Sequence, residues 1–154
     1  MDDAAERYDV QPVNSAGTAY IAVCGLNSGR LDHAKRTIEF SAAALKIILQ
    51  FNAANNASLT VRIGVDSGAV TSGVIGARRF KFGLWGDTVD TARAARNRAN
   101  PNTVLITENA FERVNDYFDF QDVKPLAIDS RELRVFELKP DRLQPTLSDA
   151  VETV

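Results

Sequence analysis

The sequence predicts an α/β fold, organised as an α+β sandwich in which helices pack on a sheet. Hydrophobic residues make up 45% and charged residues 25% of the 154 residues, the balance of one globular domain. Segments in which apolar and polar residues alternate are interspersed with segments in which apolar residues recur every three or four positions. No internal repeat relates these segments, so one mixed domain is the simplest arrangement.

The first third of the chain predicts a hairpin followed by a long helix. Residues 1–9 are polar and are predicted to form a flexible N-terminus, before a domain that extends over 10–139. Residues 10–13 and 19–24 have the composition of two strands joined around 14–17. The helical period then sets in on one face, which is predicted to comprise Leu31, Ala34, Ile38, Ala42, Leu45 and Leu49.

The middle third predicts strands, a glycine-rich stretch and a second helix. Residues 59–65 alternate with the period of two that a strand requires. Four glycines follow closely, at positions 64, 68, 73 and 76, and indicate positive φ angles or close backbone approach. A strand-like run over 79–85 then breaks at Gly86, and Asp87 stands where the N-cap of the next helix is expected.

The last third predicts a buried strand, a short helix and a final strand pair. Residues 104–106 are continuously apolar, and Thr107 is a candidate cap for a helix that extends through Val114. Residues 118–123 and 133–138 form the predicted strand pair. The remaining residues, 140–154, form a polar tail in which no element is predicted.

Charge and rare residues restrict the functional classes. The net charge of −2 argues against a dedicated nucleic-acid-binding domain, since such domains carry a positive excess. Cys24 and His33 are the only cysteine and the only histidine, which excludes a disulfide framework or a Cys/His zinc site within one chain. No apolar run is long enough for a membrane helix, and no signal peptide is recognisable. We therefore expect a cytoplasmic protein whose chain does not contact a membrane.

The run Trp85-Gly86-Asp87-Thr88-Val89 is the most specific motif in the chain. Together with segments 17–26, 32–34 and 61–65, it resembles the class III adenylate and guanylate cyclase homology domain, in the right order and over nearly all of residues 11–138. The resemblance implies a ferredoxin-like sheet and a dimer that binds ATP or GTP across its interface. The family reaction yields a 3',5'-cyclic nucleotide and pyrophosphate. The expected partner is therefore another cyclase homology domain, in a homodimer or a heterodimer.

The same resemblance implies that the family's opening strand and the two helices after it are lacking before residue 10. That strand is central in the family's sheet, so its absence would leave backbone groups unpaired. We therefore expect the domain to be unstable, completed by a partner, or strand-swapped, and in each case oligomeric.

Metal binding depends, in the family, on two aspartates that hold two ions, as in other phosphoryl-transfer sites. The first belongs to the opening strand, and the second aligns with Thr18. A neutral hydroxyl is a poor replacement for a carboxylate as a magnesium ligand. No metal ligand is therefore predicted, and Mg²⁺ or Mn²⁺ is expected only if the chain is active.

Other family positions are also altered. The transition-state asparagine and arginine align with Asp90 and Ala94, and the two base-reading residues align with Asn14 and Gly83. The phosphate-binding lysine aligns near Leu126, with Lys124 close by. Two questions stay open. Asp87 and Asp90 are either remnants of a nucleotide site or helix-capping residues, and the basic cluster Arg78, Arg79 and Lys81 is either a triphosphate patch or a solvated hairpin.

Three functional hypotheses follow from these substitutions. The first is a catalytically degenerate domain that acts as a dimerising or regulatory module. The second is an active cyclase half that a partner subunit completes. The third is a nucleotide-binding sensor that does not turn its ligand over.

Overall fold

The computed structural model describes residues 1–13 and 18–139, and these residues form four helices and eight strands. The helices are α1 (Asp2–Arg7), α2 (His33–Asn55), α3 (Asp87–Arg98) and α4 (Glu108–Val114). The strands are β1 (Gln11–Val13), β2 (Ile21–Val23), β3 (Arg62–Val65), β4 (Thr71–Ile75), β5 (Lys81–Trp85), β6 (Thr103–Thr107), β7 (Phe120–Ile128) and β8 (Arg131–Leu138). The predicted α+β class is therefore confirmed.

The strands divide into one four-stranded sheet and two hairpins. The sheet has the order β3-β6-β8-β7, with β3 and β6 parallel and the other neighbours antiparallel. β1 pairs with β2, and β4 pairs with β5, each antiparallel. The hairpin predicted for 10–13 and 19–24 is thus present, as are the buried strand and the final strand pair.

Helices cover both faces of the four-stranded sheet. Val104 and Ile106 belong to one apolar cluster with residues of α2 and α4, whereas Leu105 belongs to another with Ala95 of α3 and its C-cap residue Ala99. Because neighbouring strand residues point to opposite faces, α2 and α4 lie on one side of the sheet and α3 on the other. The continuous apolar run in β6 is explained by this burial on both faces.

The predicted face of α2 is correct in its middle and wrong at both ends. Ala34, Ile38 and Leu45 are buried in the core. Leu31 precedes the helix and is 100% exposed, and Leu49, in the second half of α2, is 50% exposed. A helical period alone does not reveal where the neighbouring layer stops.

Two further segments differ from the sequence-based expectation. The sequence predicts no element in residues 1–9, but Asp2–Arg7 form α1, and Ala5 packs with Val10 and Phe40 in a third apolar cluster. The strand predicted over 59–65 begins only at Arg62. Leu59 exchanges hydrogen bonds of 2.8 and 3.0 Å with the Asn52 side chain instead of joining a ladder.

Candidate functional site

The motif of residues 85–89 lies at the junction between β5 and α3. Gly86 is the N-cap of α3 with φ of 122°, a conformation that favours glycine. Its carbonyl oxygen accepts hydrogen bonds from the backbone N–H groups of Val89 and Asp90 at 3.0 and 3.2 Å. The prediction that Asp87 is the N-cap is therefore wrong: Asp87 is the first helical residue, where its charge still favours the helix dipole.

α3 is held unusually close to β3 and to the loop that follows it. A Cβ atom on Gly64 would lie 2.1 Å from the Ala92 carbonyl oxygen and 2.2 Å from the Arg96 nitrogen. Further along, a Cβ on Gly68 would lie 2.6 Å from Thr88 Oγ1, which donates a hydrogen bond of 2.8 Å to the Ala69 carbonyl. Two of the clustered glycines are therefore explained by close packing against α3.

A polar cluster lies where β3 ends. Thr107 Oγ1 donates a hydrogen bond to Asp66 Oδ1, and Asn109 Nδ2 donates to the same oxygen at 3.4 Å. Next to it, Ser67 Oγ lies 2.8 Å from His33 Nε2, whose ring is held at Nδ1 by the Arg30 carbonyl. Thr107 is the N-cap residue of α4, as predicted, but its side chain bonds Asp66 and caps nothing. These contacts connect the starts of α2 and α4 to the end of β3.

Gly83 lies on β5 beneath the ring of Trp85. A Cβ on Gly83 would lie 2.6 Å from Trp85 Cζ2, and Gly73, its direct partner on β4, would place a Cβ 3.4 Å from Cζ3. Both glycines thus leave space for the indole ring. Trp85 itself is 40% exposed. An aromatic ring therefore covers Gly83, which the sequence analysis predicts to align with a base-reading residue.

Asp90 and Ala94 occupy successive turns of α3. Asp90 Oδ1 accepts a hydrogen bond of 2.8 Å from Arg93 Nη1, and both side chains are largely exposed. Ala94 is partly buried and packs against the apolar cluster of α3, β6, β7 and β8, as Val123 does. Asp90 thus carries a negative charge that Arg93 compensates, and Ala94 makes an apolar contact.

The other predicted site residues do not converge on α3. Thr18 is an exposed turn residue before β2, and Lys124 is exposed on β7 beside a register shift between Val123 and Leu126. Within residues 1–13 and 18–139, no hydrogen bond or ion pair connects either residue to Asp87 or Asp90. Asn14 lies outside the described residues. The same part of the chain holds no group of three His, Cys, Asp or Glu side chains suited to a metal ion.

The hairpin of β4 and β5 presents a surface that is both apolar and basic. Phe80 is 77% exposed, Val74 63% and Ile75 57%, and the basic residues Arg78, Arg79 and Lys81 are exposed beside them. Exposed apolar side chains in such a group mark an interaction surface more often than isolated ones do. Val74 and Phe82 are direct partners and share one face of the hairpin, whereas Ile75 points to the other face. We call Val74, Phe80 and Phe82 the hairpin patch.

Sequence reasoning missed the cluster at the end of β3. Asp66 and Ser67 follow an alternating strand directly and precede Gly68, a pattern typical of polar residues at a strand end. Their partners Thr107 and Asn109 follow β6, which pairs in parallel with β3, so both strands end at the same edge. That shared edge is the signal from which the cluster could have been predicted.

Known proteins resemble this chain in sequence. Residues 1–139 match the family model described as the adenylate and guanylate cyclase catalytic domain. The aggregation-specific adenylate cyclase of Dictyostelium discoideum is 33% identical over 122 residues, which are 77% of this chain and 8% of that protein. The chain therefore spans a small part of this relative. Within the described residues, no helix is long and apolar enough to cross a membrane.

Two solved structures have the same architecture. The guanylate cyclase domain of RhGC from Catenaria anguillulae, in complex with GTP, superposes with a TM-score of 0.84 at 28% identity, over 90% of this chain and 76% of that one. The non-canonical dimeric guanylyl cyclase domain of RhoGC from Blastocladiella emersonii gives 0.79 at 28% identity, over 89% and 75%. The ferredoxin-like cyclase fold is thereby confirmed, and the chain belongs to the family of adenylate and guanylate cyclase catalytic domains.

Proposed function

We propose that this chain is a catalytically degenerate class III cyclase domain that acts as a dimerising or regulatory module in cyclic nucleotide signalling. The proposal is carried by the contacts of α3, on which the resemblance assigns Asp90 and Ala94 to the positions of the family's transition-state asparagine and arginine. An arginine donates to developing phosphate charge, whereas the Ala94 methyl group packs into an apolar cluster. Losses of this kind each cost a factor of about 100 or more in rate.

The adjacent Arg93 does not take over the role that the family's arginine has. Arg93 is paired with Asp90 at 2.8 Å. Successive helical positions point about 100° apart, so Arg93 does not project from the face that carries Ala94. An unmatched carboxylate at Asp90 would repel phosphate, and its ion pair with Arg93 only neutralises that effect.

The donor set does not fit the metal ions on which the family generally depends. Mg²⁺ and Mn²⁺ prefer carboxylate and phosphate oxygens. Thr18 offers a hydroxyl group from an exposed turn, and Asp66 already accepts hydrogen bonds from Thr107 and Asn109. We therefore propose no metal-assisted step for this chain.

The hairpin patch supports dimerisation with another cyclase homology domain. Its three apolar side chains belong to a two-stranded hairpin that is separate from the main sheet. The related guanylyl cyclase domain of Blastocladiella emersonii is a non-canonical dimer in one solved structure and a monomer in another. Burial of each exposed aromatic or branched side chain contributes about 1.5–3 kcal/mol, enough for a specific contact when several act together.

The catalytic part of the proposal is tested by cyclic AMP and cyclic GMP formation from ATP and GTP with Mn²⁺. The chain is compared with Thr18→Asp, and with a variant that combines Asp90→Asn and Ala94→Arg. We expect no product above a boiled control from the unmodified chain. Metal-dependent product from the unmodified chain would contradict degeneracy.

The dimerisation part is tested separately by sedimentation velocity over a concentration series. Val74→Ser together with Phe80→Ser should weaken self-association. Leu49→Ser together with Phe51→Ser is the matched control, because these exposed apolar residues lie at the far end of α2. Equal effects of both pairs, or a monomer throughout, would argue against the hairpin patch.

The two alternative functions, an active cyclase half and a nucleotide sensor, are tested by different experiments. An active half should gain activity when it is mixed with a metal-competent cyclase domain, and the absence of any gain counts against it. A nucleotide sensor is favoured by the exposed Arg78, Arg79 and Lys81, which could bind a triphosphate. Calorimetry with ATP and GTP tests the sensor, and it is excluded if no heat of binding appears up to millimolar ligand.

A further inference from the structure

The hairpin patch occupies one face of the β4 and β5 hairpin, and the opposite face is exposed as well. On that opposite face, Ile75 pairs directly with Lys81, next to the pair of Gly73 and Gly83. The ring of Trp85 packs over both glycines. Ile75 and Trp85 are both exposed. An aliphatic side chain, a lysine and an indole ring therefore share one accessible face.

The loop that joins the two strands adds two positive charges at the same end of the hairpin. Gly76 begins the loop with a φ of 129°, and a Cβ atom there would overlap the Arg79 carbonyl oxygen. The loop is therefore tight, and it holds Arg78 and Arg79 directly beyond the pair of Ile75 and Lys81. All three basic residues are exposed. We call Ile75, Arg78, Arg79 and Lys81 the basic tip.

The positive charges of the basic tip are not compensated within the described part of the chain. Residues 67–86 include no aspartate and no glutamate. Among residues 1–13 and 18–139, none of the three basic side chains forms an ion pair or a side-chain hydrogen bond. Asp87 lies beyond the other end of β5. At about 3.4 Å per residue, the strand between Lys81 and Asp87 is longer than the screening length of about 8 Å.

We propose that the basic tip docks on the surface of an anionic lipid bilayer. Acidic headgroups attract each exposed lysine or arginine by about fivefold in affinity. Ile75 and Trp85 enter the interfacial layer, where aliphatic and indole side chains are removed from water. The sequence-based expectation of no membrane contact rested on the lack of a spanning segment, and a contact with the bilayer surface needs none.

A bilayer surface fits the basic tip better than other partners of a basic cluster do. A second copy that docked tip to tip would bring like charges together, and these repel. A nucleic acid or a nucleoside triphosphate would pair with the arginines, but it would gain nothing from the exposed aliphatic side chain of Ile75. The basic tip is also the end of a hairpin, whereas small-molecule sites are concave.

This proposal is independent of the proposed function, because it uses neither α3 nor the hairpin patch. It is tested by flotation of the full 154-residue chain with lipid vesicles. One set of vesicles is pure phosphatidylcholine, and the other contains about one third phosphatidylserine. We expect flotation only with the acidic vesicles, and release at high salt because the attraction is screened. Equal flotation with both sets, or with neither, would overturn the proposal.

Trp85 is the only tryptophan, so its emission reports whether this face of the hairpin meets the lipid. Acidic vesicles should shift the emission to shorter wavelength and reduce quenching by acrylamide, because the indole ring leaves water. Flotation without any change in the emission of Trp85 would place the contact elsewhere on the chain and overturn the proposal.

Two pairs of substitutions separate the position of the charges from the net charge. Arg78→Gln with Arg79→Gln should weaken binding to the acidic vesicles about 30-fold. Arg113→Gln with Arg131→Gln is the matched control, because it removes two exposed positive charges from α4 and β8. The control pair should bind like the unmodified chain. Equal weakening by both pairs would overturn the proposal, because net charge alone would then explain the binding.

The apolar part of the contact and a competing ligand are tested on the same vesicles. Ile75→Ser keeps every charge and should weaken binding about tenfold, because its side chain no longer gains from leaving water. Unchanged binding by this variant would contradict entry of Ile75 into the bilayer. ATP at micromolar concentration should leave the chain on the vesicles. Displacement by ATP would overturn the proposal, because the basic tip would then be a triphosphate site.

Discussion

The indole of Trp85 lies directly over Gly83, within 2.6 Å of the place that a Cβ atom would take. Gly73 lies opposite Gly83 on the neighbouring strand, and the same ring packs over it. The glycine at this position therefore has a packing role of its own. A larger side chain could not be accommodated here without moving the tryptophan.

Gly83→Ala should displace the ring toward solvent. The methyl group would overlap Trp85 Cζ2 and Cη2, and the side chain can relieve the overlap by rotating outward. Trp85 is the only tryptophan, so its emission reports the change directly. We expect a red-shifted emission maximum, stronger acrylamide quenching, and a loss of about 1–2 kcal/mol in the free energy of unfolding.

Gly29→Ala is the matched control, since a Cβ at Gly29 meets no atom within 4 Å. It should leave emission and quenching unchanged. If Gly83→Ala had the same emission spectrum as the unmodified chain, the Trp85 ring would not be packed over Gly83.

The architecture could be predicted from the sequence where the hydrophobic period is strong. The alternation in β3, the apolar run of β6 and the helical face of α3 each correspond to burial against a defined layer. The same reasoning fails at Leu31 and Leu49, because a period shows which face is apolar and does not show how far the opposing layer extends.

The site was predicted less completely than the fold. The glycines at 64 and 68 were recognisable as positions of close approach, but their partners Ala92 and Thr88 are set by tertiary packing, and the contact between Gly83 and Trp85 was not predicted. The pair of Asp66 and Thr107 spans 41 positions and depends on the parallel register of β3 and β6. A contact of this range becomes visible only when the strand order is known.

Gly64→Ala should destabilise the protein more than Gly83→Ala does. The added Cβ would overlap backbone atoms of Ala92 and Arg96, which cannot rotate away as a side chain can. α3 would have to move off β3, and overpacking of this kind costs about 3 kcal/mol or more. Urea unfolding measures the loss. A loss below that of Gly83→Ala would contradict the close contact between α3 and β3.

Thr107→Val should lower the stability of the protein, because it breaks the polar cluster at the end of β3. Thr107 is 1% exposed, and the substitution keeps its shape but removes the donor to Asp66. When a partly buried carboxylate loses a hydrogen-bond donor, the free energy of unfolding falls by about 1–3 kcal/mol. Thr103→Val is the control, because its hydroxyl group donates to the Asn100 carbonyl at an exposed position. Similar losses in both variants, measured by thermal unfolding, would show that the Asp66 contact contributes nothing special.

Cys24 should react with iodoacetamide more slowly than an unhindered thiol at neutral and mildly alkaline pH. Burial is the main cause that raises the pKa of its thiol, and the carboxylate of Asp9 raises that pKa further. Since the thiolate is the reactive form, the rate should increase toward a midpoint above the value found in the unfolded chain. The raised pKa also stabilises the fold at lower pH, and this contribution is lost as the pH rises through the folded-state pKa.

Asp9→Asn should lower that midpoint. The substitution removes a negative charge near Cys24 and releases Arg30, which is paired with Asp9 at 2.9 Å and itself lowers the pKa of the thiol. Both effects have the same sign, and asparagine tolerates the positive φ of 55° at this position. Glu112→Gln, an exposed change on α4, is the control and should leave the midpoint where it is. The midpoint is measured from rates of alkylation between neutral and alkaline pH, followed by mass spectrometry. An unchanged or higher midpoint in Asp9→Asn would refute the electrostatic coupling between Asp9 and Cys24.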